Sequence, residues 1–289
     1  MMKDIRKIKM VLKGQPTMEG AGVHLKRAFG FREAPALDPF LLLDDFHSDN
    51  PDHYIKGFPW HPHRGIETIT YVLQGDIEHG DSMSNQGVIG SGDVQWMTAG
   101  SGVIHQEMPQ GDDNGVMWGF QLWANLPASH KMMAPRYRDI KAADIPQVTL
   151  DNGARIKIIC GSISTVTGPV QDIVIEPQYL DITVPPGMTF YHPIDPDHTA
   201  FVYVFAGDGF FDEPKKKCIR PETLVLFEAG DAIGAEAGED GLRFILVSGN
   251  PLNEPVAWQG PIVMNTQKEL EIAFREFREG TFIRQTGKE

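Results

Sequence analysis

Two short motifs supply residue types that bind metals. In the segment "HPH", His61 and His63 stand one residue apart, and a β-rich run that contains Glu67 follows them. A second pair, His105 and Glu107, follows the glycine-rich segment "TAGSG" with the same spacing. In an extended strand, alternate side chains lie on one face, so each pair can reach one ion, and Glu67 has the same parity as the first pair. The two pairs predict a metal site with three nitrogen ligands and one carboxylate.

The ligand types restrict the metal. Three imidazoles with one carboxylate suit Fe, Mn, Co, Ni, Cu or Zn, whereas Mg and Ca prefer shells made of oxygen. On an octahedral metal, two positions stay open for an organic substrate and dioxygen. A single histidine is more often a hydrogen-bonded structural residue than a ligand, but two strand-spaced pairs beside glycines favour a metal site.

A weak internal repeat provides a control for this interpretation. The segment "TYVLQGD" at 70–76 resembles "VYVFAGD" at 202–208, and "GSGDVQWMTAGSG" is echoed by "EAGDAIGAEAGEDG". In the second copy His192 matches His61, but Ile194 replaces the second histidine, and the segment "LRFIL" offers no counterpart of the other pair. We therefore predict metal binding in the first copy alone, and we interpret His192 and His198 as structural or surface residues.

The elements that must position these motifs are short strands. Gly, Asp, Asn and Pro clusters separate them, which is typical of an all-β sandwich or barrel. Two copies of one antiparallel module fit the length, and we place the boundary near residue 138, with domains 1–138 and 139–289. The predicted strands are Ile66–Leu73, Val94–Met97, Val116–Trp123, Ile156–Cys160, Leu180–Val184, Phe201–Phe205, Leu224–Phe227 and Phe244–Val247.

One helix is predicted near the C-terminus. Thr266 and Glu269 have the spacing of a capping box, in which each side chain bonds the other residue's backbone N–H. An apolar stripe with helical spacing follows, and we expect it to pack against the body of the protein. The stripe consists of Leu270, Ala273, Phe274 and Phe277.

Composition excludes several classes of function. The 289 residues include 26 basic and 39 acidic side chains, a formal charge of −13, which opposes binding to nucleic acid or to anionic membranes. No apolar leader segment follows the basic N-terminus, so we expect a cytoplasmic protein. The two cysteines, Cys160 and Cys218, are too few for a disulfide scaffold, and we interpret both as reduced.

Several longer runs resemble the pirin family. They are "LDPFLLLDDF", "GFPWHPHRGIETITYVLQG", "GDVQWMTAGSGVIHQEMP", "GFQLWANLP" and "GPIVMNT", which occur in this order along nearly the whole chain. The resemblance implies a bicupin: two stacked antiparallel, jelly-roll-like β-barrels with a C-terminal α-helix. It also implies one metal ion, usually iron, in the N-terminal barrel and none in the C-terminal barrel.

Carried over to this sequence, the family's ligands are His61, His63, His105 and Glu107. The resemblance implies Fe(II), with Mn, Co, Ni, Cu and Zn as alternatives, and it leaves Glu67 beside the ligands rather than among them. Trp60 departs from the acidic residue that precedes this motif in many pirins. That change leaves the identity of the substrate open.

Some pirins resemble quercetin 2,3-dioxygenases, which implies a metal-dependent oxidoreductase that cleaves flavonols with O₂. A carboxylate near the metal would take the substrate's proton, and we assign this role to Glu107 or Glu67. A flat aromatic substrate needs apolar walls, although such residues are more often simple core. The wall candidates are Phe58, Trp60, Met97 and Phe120.

Two other hypotheses stay open at this point. Pirins in some organisms are thought to act as non-enzymatic, redox-responsive regulators that bind transcription factors or metabolic enzymes, and an acidic surface fits protein partners better than DNA. A purely structural metal is the third hypothesis, although structural sites usually have no open position. The sequence leaves the native metal, the physiological substrate and the oligomeric state undetermined.

Overall fold

The structure, a computed structural model, describes residues 4–212 and 217–284. The outermost residues of the two predicted domains, 1–3 and 285–289, and the segment 213–216 lie outside the described residues. The described chain is mostly β-strand. Among its described residues, no helix is long and apolar enough to cross a membrane.

The described residues form twenty-three strands, which are connected mainly by short turns, as expected from the Gly, Asp, Asn and Pro clusters between them. The first twelve are β1 Ile8–Lys13, β2 Gln15–Glu19, β3 Val23–Phe29, β4 Phe40–Ser48, β5 Phe58–His63, β6 Ile66–Gln74, β7 Asp76–Asp81, β8 Gln86–Ile89, β9 Val94–Thr98, β10 Val103–Gln110, β11 Met117–Asn125 and β12 Arg136–Ile140. The others are β13 Gln147–Thr149, β14 Arg155–Cys160, β15 Ser162–Ile163, β16 Val166–Thr167, β17 Gln178–Val184, β18 Thr189–Pro193, β19 Thr199–Phe210, β20 Thr223–Phe227, β21 Ala232–Gly249, β22 Ala257–Gln259 and β23 Ile262–Met264.

Residue contacts divide the chain into two compact units. The N-terminal unit comprises Pro16–Phe31, Phe40–Ala142 and Leu252–Glu289. It contains a seven-stranded sheet in the order β12-β9-β6-β11-β4-β3-β2, a four-stranded sheet in the order β5-β10-β7-β8, and the hairpin β22-β23. The first of the two candidate metal pairs lies on β5 and the second on β10, so both belong to the four-stranded sheet.

The C-terminal unit comprises Met1–Gln15, Arg32–Pro39 and Ala143–Pro251. Its main sheet has the order β1-β20-β19-β21-β17-β14-β13, with β18 paired to β21. Its short helix α1 is Ala34–Leu37. Alternate side chains, from one face of each main strand of this unit, form one large apolar core, which includes four phenylalanines and Ile194.

All eight predicted strands are confirmed, and the all-β fold with one C-terminal helix is confirmed as well. The predicted boundary at residue 138 stays a prediction. The main segments of the two contact-defined units meet at Ala142–Ala143. The N-terminal unit also includes the C-terminal segment of the chain, and the C-terminal unit also includes the N-terminal segment. Local strand patterns cannot indicate such an exchange, because it depends on pairing across more than 200 residues, as between β1 and β20.

Helix α2, Gln267–Glu279, begins with the predicted capping box: Thr266 Oγ1 accepts from the Glu269 N–H, and the Glu269 carboxylate accepts from the Thr266 N–H. Its buried Leu270 and Ala273 pack in a small core with β23 and with Ile104 of β10. The helix therefore packs within the N-terminal unit.

Both cysteines are free, and Cys160 is buried whereas Cys218 is exposed. The Cys160 thiol donates to the Pro177 carbonyl, 3.3 Å away. This agrees with the reduced state expected for both thiols.

Candidate metal centre and its cavity

Strand β5 presents the first histidine pair with a defined ring orientation. His61 Nδ1 lies 2.8 Å from the Pro59 carbonyl, and His63 Nδ1 lies 3.1 Å from the Pro261 carbonyl. A carbonyl only accepts hydrogen bonds, so both Nδ1 atoms carry the proton and both Nε2 atoms keep a free lone pair. The two Nε2 atoms are 3.1 Å apart. Two lone pairs at that distance repel unless a cation lies between them, which fits a metal site.

His105 completes a group of three histidines. It lies directly opposite His61 in the antiparallel pairing of β5 with β10. The ligand nitrogens of His61, His63 and His105 all lie within 4.8 Å of one another. Neither ring nitrogen of His105 has a hydrogen-bond partner, although the residue is buried. A buried imidazole without a partner is costly, and metal coordination removes that cost.

Burial also keeps these rings neutral. It lowers the pKa of His61 and lowers the pKa values of His63 and His105 well below the usual value, with further lowering of both by neighbouring histidines. A neutral imidazole is the form that binds a metal, because the protonated ring has no free lone pair. The electrostatics therefore support the same function as the geometry.

Glu107 is close to this group but outside it. A register shift lies between His105 and Glu107, so that Glu107 is opposite Phe58 rather than Pro59. Its carboxyl group is buried, which raises its pKa to about 7, and the Thr70 hydroxyl lies 3.2 Å from Oε1. Glu107 does not belong to the group of ligand atoms within 4.8 Å of one another. Its assignment as the fourth ligand stays a prediction.

Glu67 occupies a different environment from the one that strand alternation predicts. A turn at Gly65, with φ of +78°, separates β5 from β6, and the two strands belong to different sheets. The rule that every second residue lies on the same face therefore does not hold between His63 and Glu67. Its carboxylate accepts from Thr98 Oγ1 at 2.6 Å and from Trp96 Nε1 at 3.2 Å, and burial raises its pKa.

His61 and His63 open onto a cavity of about 610 Å³ within the N-terminal unit. Its floor is one face of the seven-stranded sheet, because alternate residues of β3, β4 and β11 line it. Its lining includes Glu107 but not Glu67, so the predicted role of Glu67 as a base has no structural support. The lining residues from the three floor strands are Val23, Leu25, Arg27, Leu42, Asp44, Phe46, Met117, Gln121 and Trp123.

Of the four predicted wall residues, Phe58 lines the cavity and three do not. Trp60 alternates with the histidines on β5, so its side chain points away from them and is 54% exposed. Phe120 alternates with Gln121, and it packs near Tyr71 on the opposite face of the sheet. Met97 is fully buried outside the lining. Met97 and Phe120 are core residues and Trp60 is exposed, so Phe58 is the one predicted wall residue that belongs to this cavity lining.

Sequence reasoning missed the aromatic rings that do line the cavity. Trp123 meets the His63 ring edge to face at 5.1 Å between ring centroids, and Trp258 lies 6.0 Å from Trp123. The exposed Phe31 continues this series of aromatic rings, with 5.5 Å between its ring centroid and that of Trp258. Alternation within "QLW" could have indicated Trp123. No local signal indicates Trp258, which comes from the distant C-terminal segment.

The C-terminal segment also holds the His63 ring in place by a hydrogen bond. Besides the Pro261 carbonyl that accepts from His63, the segment is fixed by Lys131, whose ammonium donates to the carbonyls of Gly65 and Val263 and to Asn125 Oδ1. Hydrogen bonds of this kind orient a ligand imidazole and raise its affinity for the metal.

In the C-terminal unit, the counterparts of the ligands do not form such a group. His192 Nε2 is 2.7 Å from Gln178 Oε1, and Ile194 is buried in the apolar core. Among the residues that the structure describes, the three histidines of the N-terminal unit are the one group found with metal-ligand geometry. These observations support the structural interpretation of His192.

The fold and the site together define the class of protein: a two-domain cupin with a three-histidine cluster in its N-terminal half. Residues 22–124 match the family model "Pirin", and residues 179–283 match "Pirin C-terminal cupin domain". The chain therefore belongs to the pirin family.

Similar proteins agree with this assignment. The chain is 42% identical to a pirin-like protein of Caulobacter vibrioides, over 96% of this chain and 99% of that protein. A crystal structure of a quercetin 2,3-dioxygenase from Acinetobacter baumannii superposes with a TM-score of 0.89 at 31% identity, covering 98% of this chain and all of that one. The bacterial pirin YhhW of Escherichia coli in complex with nickel(II), at 18% identity, covers 84% of this chain and 98% of its own with a TM-score of 0.64, which supports the fold.

Proposed function

We propose that the protein is a metal-dependent dioxygenase that cleaves a flavonol or a similar hydroxylated aromatic compound with O₂. One observation carries this proposal: three buried, neutral histidines have ligand nitrogens within 4.8 Å of one another, and two of them, His61 and His63, line a cavity large enough for a small aromatic molecule. The similarity to the Acinetobacter quercetin 2,3-dioxygenase supports the reaction type.

His61, His63 and His105 would hold the metal through Nε2, with Glu107 as the fourth ligand. We propose Fe(II), and the same donor set accepts Mn, Co, Ni, Cu or Zn. A metal held there would supply Lewis acidity toward the substrate hydroxyl.

Glu107 is the better candidate for the proton acceptor. It lines the cavity, whereas Glu67 is engaged by Thr98 and Trp96 away from it. Burial raises the pKa of Glu107 in the metal-free protein, and a carboxylate within reach of the substrate hydroxyl is a group that can accept its proton. Glu107 would take the hydroxyl proton as the substrate binds.

The aromatic residues would orient the substrate and exclude water. Phe58, Trp123 and Trp258 line the cavity, and a flat ring system packs favourably against them in offset or edge-to-face geometry. Exclusion of water around the reacting ring strengthens its electrostatic interactions with the site.

The test is reconstitution of the purified protein with Fe, Mn, Co, Ni, Cu or Zn, followed by measurement of flavonol loss, O₂ uptake and CO release. We expect turnover that depends on the added metal. His61→Ala should abolish turnover and His192→Ala, its counterpart in the second copy, should leave it unchanged.

Equal turnover in the His61→Ala variant, or turnover that no metal changes, would contradict the mechanism. No turnover with any metal would reject the dioxygenase function. In that case, binding to cytosolic proteins that changes with the oxidation state of bound iron would identify the regulator hypothesis as the better one.

A further inference from the structure

A row of polar side chains crosses the apolar floor of the cavity. Thr70, Gln121, Asp44 and Arg27 lie on the neighbouring strands β6, β11, β4 and β3. Gln121 is directly opposite both Thr70 and Asp44, and Arg27 is directly opposite Asp44. Residues opposite one another in antiparallel strands share a face of the sheet, so the four side chains form one line across it.

Asp44 is the unusual member of this row. Its carboxylate is buried, and Arg27 donates to both of its oxygens, each at 2.8 Å, while Glu19 lies 2.9 Å from the same guanidinium. A carboxylate has about four acceptor sites, so Arg27 leaves Asp44 capacity to accept from a ligand in the cavity that it lines. Burial raises the pKa of Asp44 to about 6, because it outweighs the opposing effect of Arg27.

Gln121 adds a donor beside this acceptor. Its Oε1 lies 2.6 Å from the Thr70 hydroxyl, which leaves the two N–H groups of Nε2 for a ligand in the cavity. A phenolic hydroxyl donates one hydrogen bond and accepts others. It can therefore donate to Asp44 and accept from Gln121 at the same time.

The position of the row relative to the histidines restricts the ligand further. Thr70 contacts Glu107 at the metal end, and Asp44 lies two strands away from Thr70. With strands about 4.8 Å apart, that separation is roughly 10 Å. Apolar residues flank the row on the floor, with Trp123 opposite Leu42 on one side and Phe46 on the other. The cavity fits a flat apolar body with polar groups at both ends.

We propose that Asp44 and Gln121 form a second subsite that binds a phenolic hydroxyl on an outer ring of the substrate, away from the metal. The ligand class is a polyphenol with hydroxyl groups on separate aromatic rings. The position of the reacting ring at the histidines rests on the proposed function, whereas the subsite itself rests on the floor of the cavity.

The chain offers a matched control for this subsite. In the C-terminal unit, Arg243 donates to the buried Asp181 carboxylate at 3.0 and 2.7 Å, with the same two-pronged geometry. Neither residue lines the cavity. Replacement of both partners of a buried ion pair by apolar residues is often neutral for stability. The pair variants Arg27→Met with Asp44→Leu and Arg243→Met with Asp181→Leu therefore differ chiefly in their relation to the cavity.

The experiment compares dissociation constants of two flavonols for the metal-loaded, full-length protein under anaerobic conditions. Quercetin carries hydroxyls on both outer rings, and 3-hydroxyflavone carries none there. We expect the natural protein to bind quercetin roughly tenfold more tightly or better, since a hydrogen bond to a charged group has about that effect. The Arg27/Asp44 variant should lose this preference, and the Arg243/Asp181 variant should retain it.

A preference that survives in the Arg27/Asp44 variant, or that falls equally in both variants, would overturn the proposal. If the Arg27/Asp44 variant does not fold, Gln121→Met decides, because it removes the donor and keeps the volume; an unchanged preference there would also overturn it. The binding preference is independent of turnover. Absence of the preference in a natural protein that still cleaves flavonols rejects the subsite alone, and its presence without cleavage rejects the proposed reaction alone.

Discussion

The interiors of the two cupin units differ in what fills them. In the C-terminal unit, Phe211 packs against Phe244 at 5.3 Å and against Phe227 at 6.1 Å, and Ile194 is buried where a ligand would stand. In the N-terminal unit, His61 and His63 open onto a cavity of about 610 Å³ whose lining includes the charged and polar side chains of Arg27, Asp44 and Gln121. The same module is therefore stabilised in one copy by tight apolar packing and carries polar groups suited to chemistry in the other.

Two buried carboxyl groups with raised pKa values, Asp44 and Glu107, line the cavity of the N-terminal unit. Burial raises the pKa values of Asp44 and Glu107 in the N-terminal unit to about 6 and about 7. Such groups are costly unless a partner or ligand uses them. The N-terminal unit, which contains the cavity, therefore carries a cost in folding free energy that can be measured.

Removal of a metal ligand should have the largest effect. His105→Ala deletes one of the three converging imidazoles, so bound metal should fall to background, beyond the roughly 10- to 100-fold loss typical of an altered supporting hydrogen bond. His192→Ala should retain one metal per chain. The measurement is metal analysis of the purified proteins by mass spectrometry; equal loss in both variants would remove the distinction between the copies.

Truncation of a core ring should be costlier in the packed unit. Phe244→Ala should lower the free energy of unfolding by about 3–5 kcal/mol, because it opens a void among rings. Phe58→Ala should cost only about 1 kcal/mol, since its half-buried ring already faces the cavity. Urea denaturation followed by circular dichroism measures both; a cost for Phe58→Ala as large as for Phe244→Ala would indicate that the cavity is collapsed in solution.

The Glu107 contribution to the stability of the metal-free protein should fall as the pH rises, opposite in sign to that of the three histidines, whose pKa values burial lowers. The folded-state pKa of Glu107 is raised to about 7, so its carboxyl group holds a proton that the unfolded chain releases above about pH 4.5. This contribution is present in full at low pH and is lost between about pH 4.5 and 7, with an upper limit of roughly 3 kcal/mol. Denaturation of the natural protein and of Glu107→Gln at several pH values isolates it, because the histidines are common to both. A stability difference between the two proteins that does not change with pH would contradict the prediction.

The Lys131 clamp, which is the set of hydrogen bonds from the Lys131 ammonium to Gly65, Asn125 and Val263, should have a smaller effect on metal affinity when it is lost. Lys131→Met leaves three buried acceptors without their donor, with an expected cost of about 1–3 kcal/mol in stability. Because the clamp fixes the segment that supplies the Pro261 carbonyl, metal affinity should fall about 10-fold. Isothermal titration with Ni²⁺ or Zn²⁺ measures it; unchanged affinity in a destabilised variant would show that the clamp does not act on His63.

Local patterns predicted the three histidines because each strand pair follows the alternation of side chains. The internal repeat predicted the substitution at Ile194 for the same reason. Alternation failed where the backbone turns: Gly65 ends the parity of β5, and Glu67 consequently lies in another environment. These outcomes depend on single turns rather than on composition.

The cavity was less predictable than the metal ligands. Alternation assigns the residues of a strand to two faces but does not indicate which face borders a cavity. Phe120 was therefore predicted to line the cavity, whereas the structure places its neighbour Gln121 there. Trp258 and Pro261 come from a segment about 200 residues after β5, and their approach depends on packing between distant segments. Only the tertiary structure indicates such contacts.

The most direct test of the central claim is anomalous diffraction from crystals of the metal-loaded protein. We expect one peak per chain, about 2.0–2.2 Å from the Nε2 atoms of His61 and His63 and from one ring nitrogen of His105, with a Glu107 oxygen as the fourth ligand. A peak beside His192, coordination of His61 or His63 through Nδ1, or an ordered His61–His63–His105 group without metal would contradict this expectation.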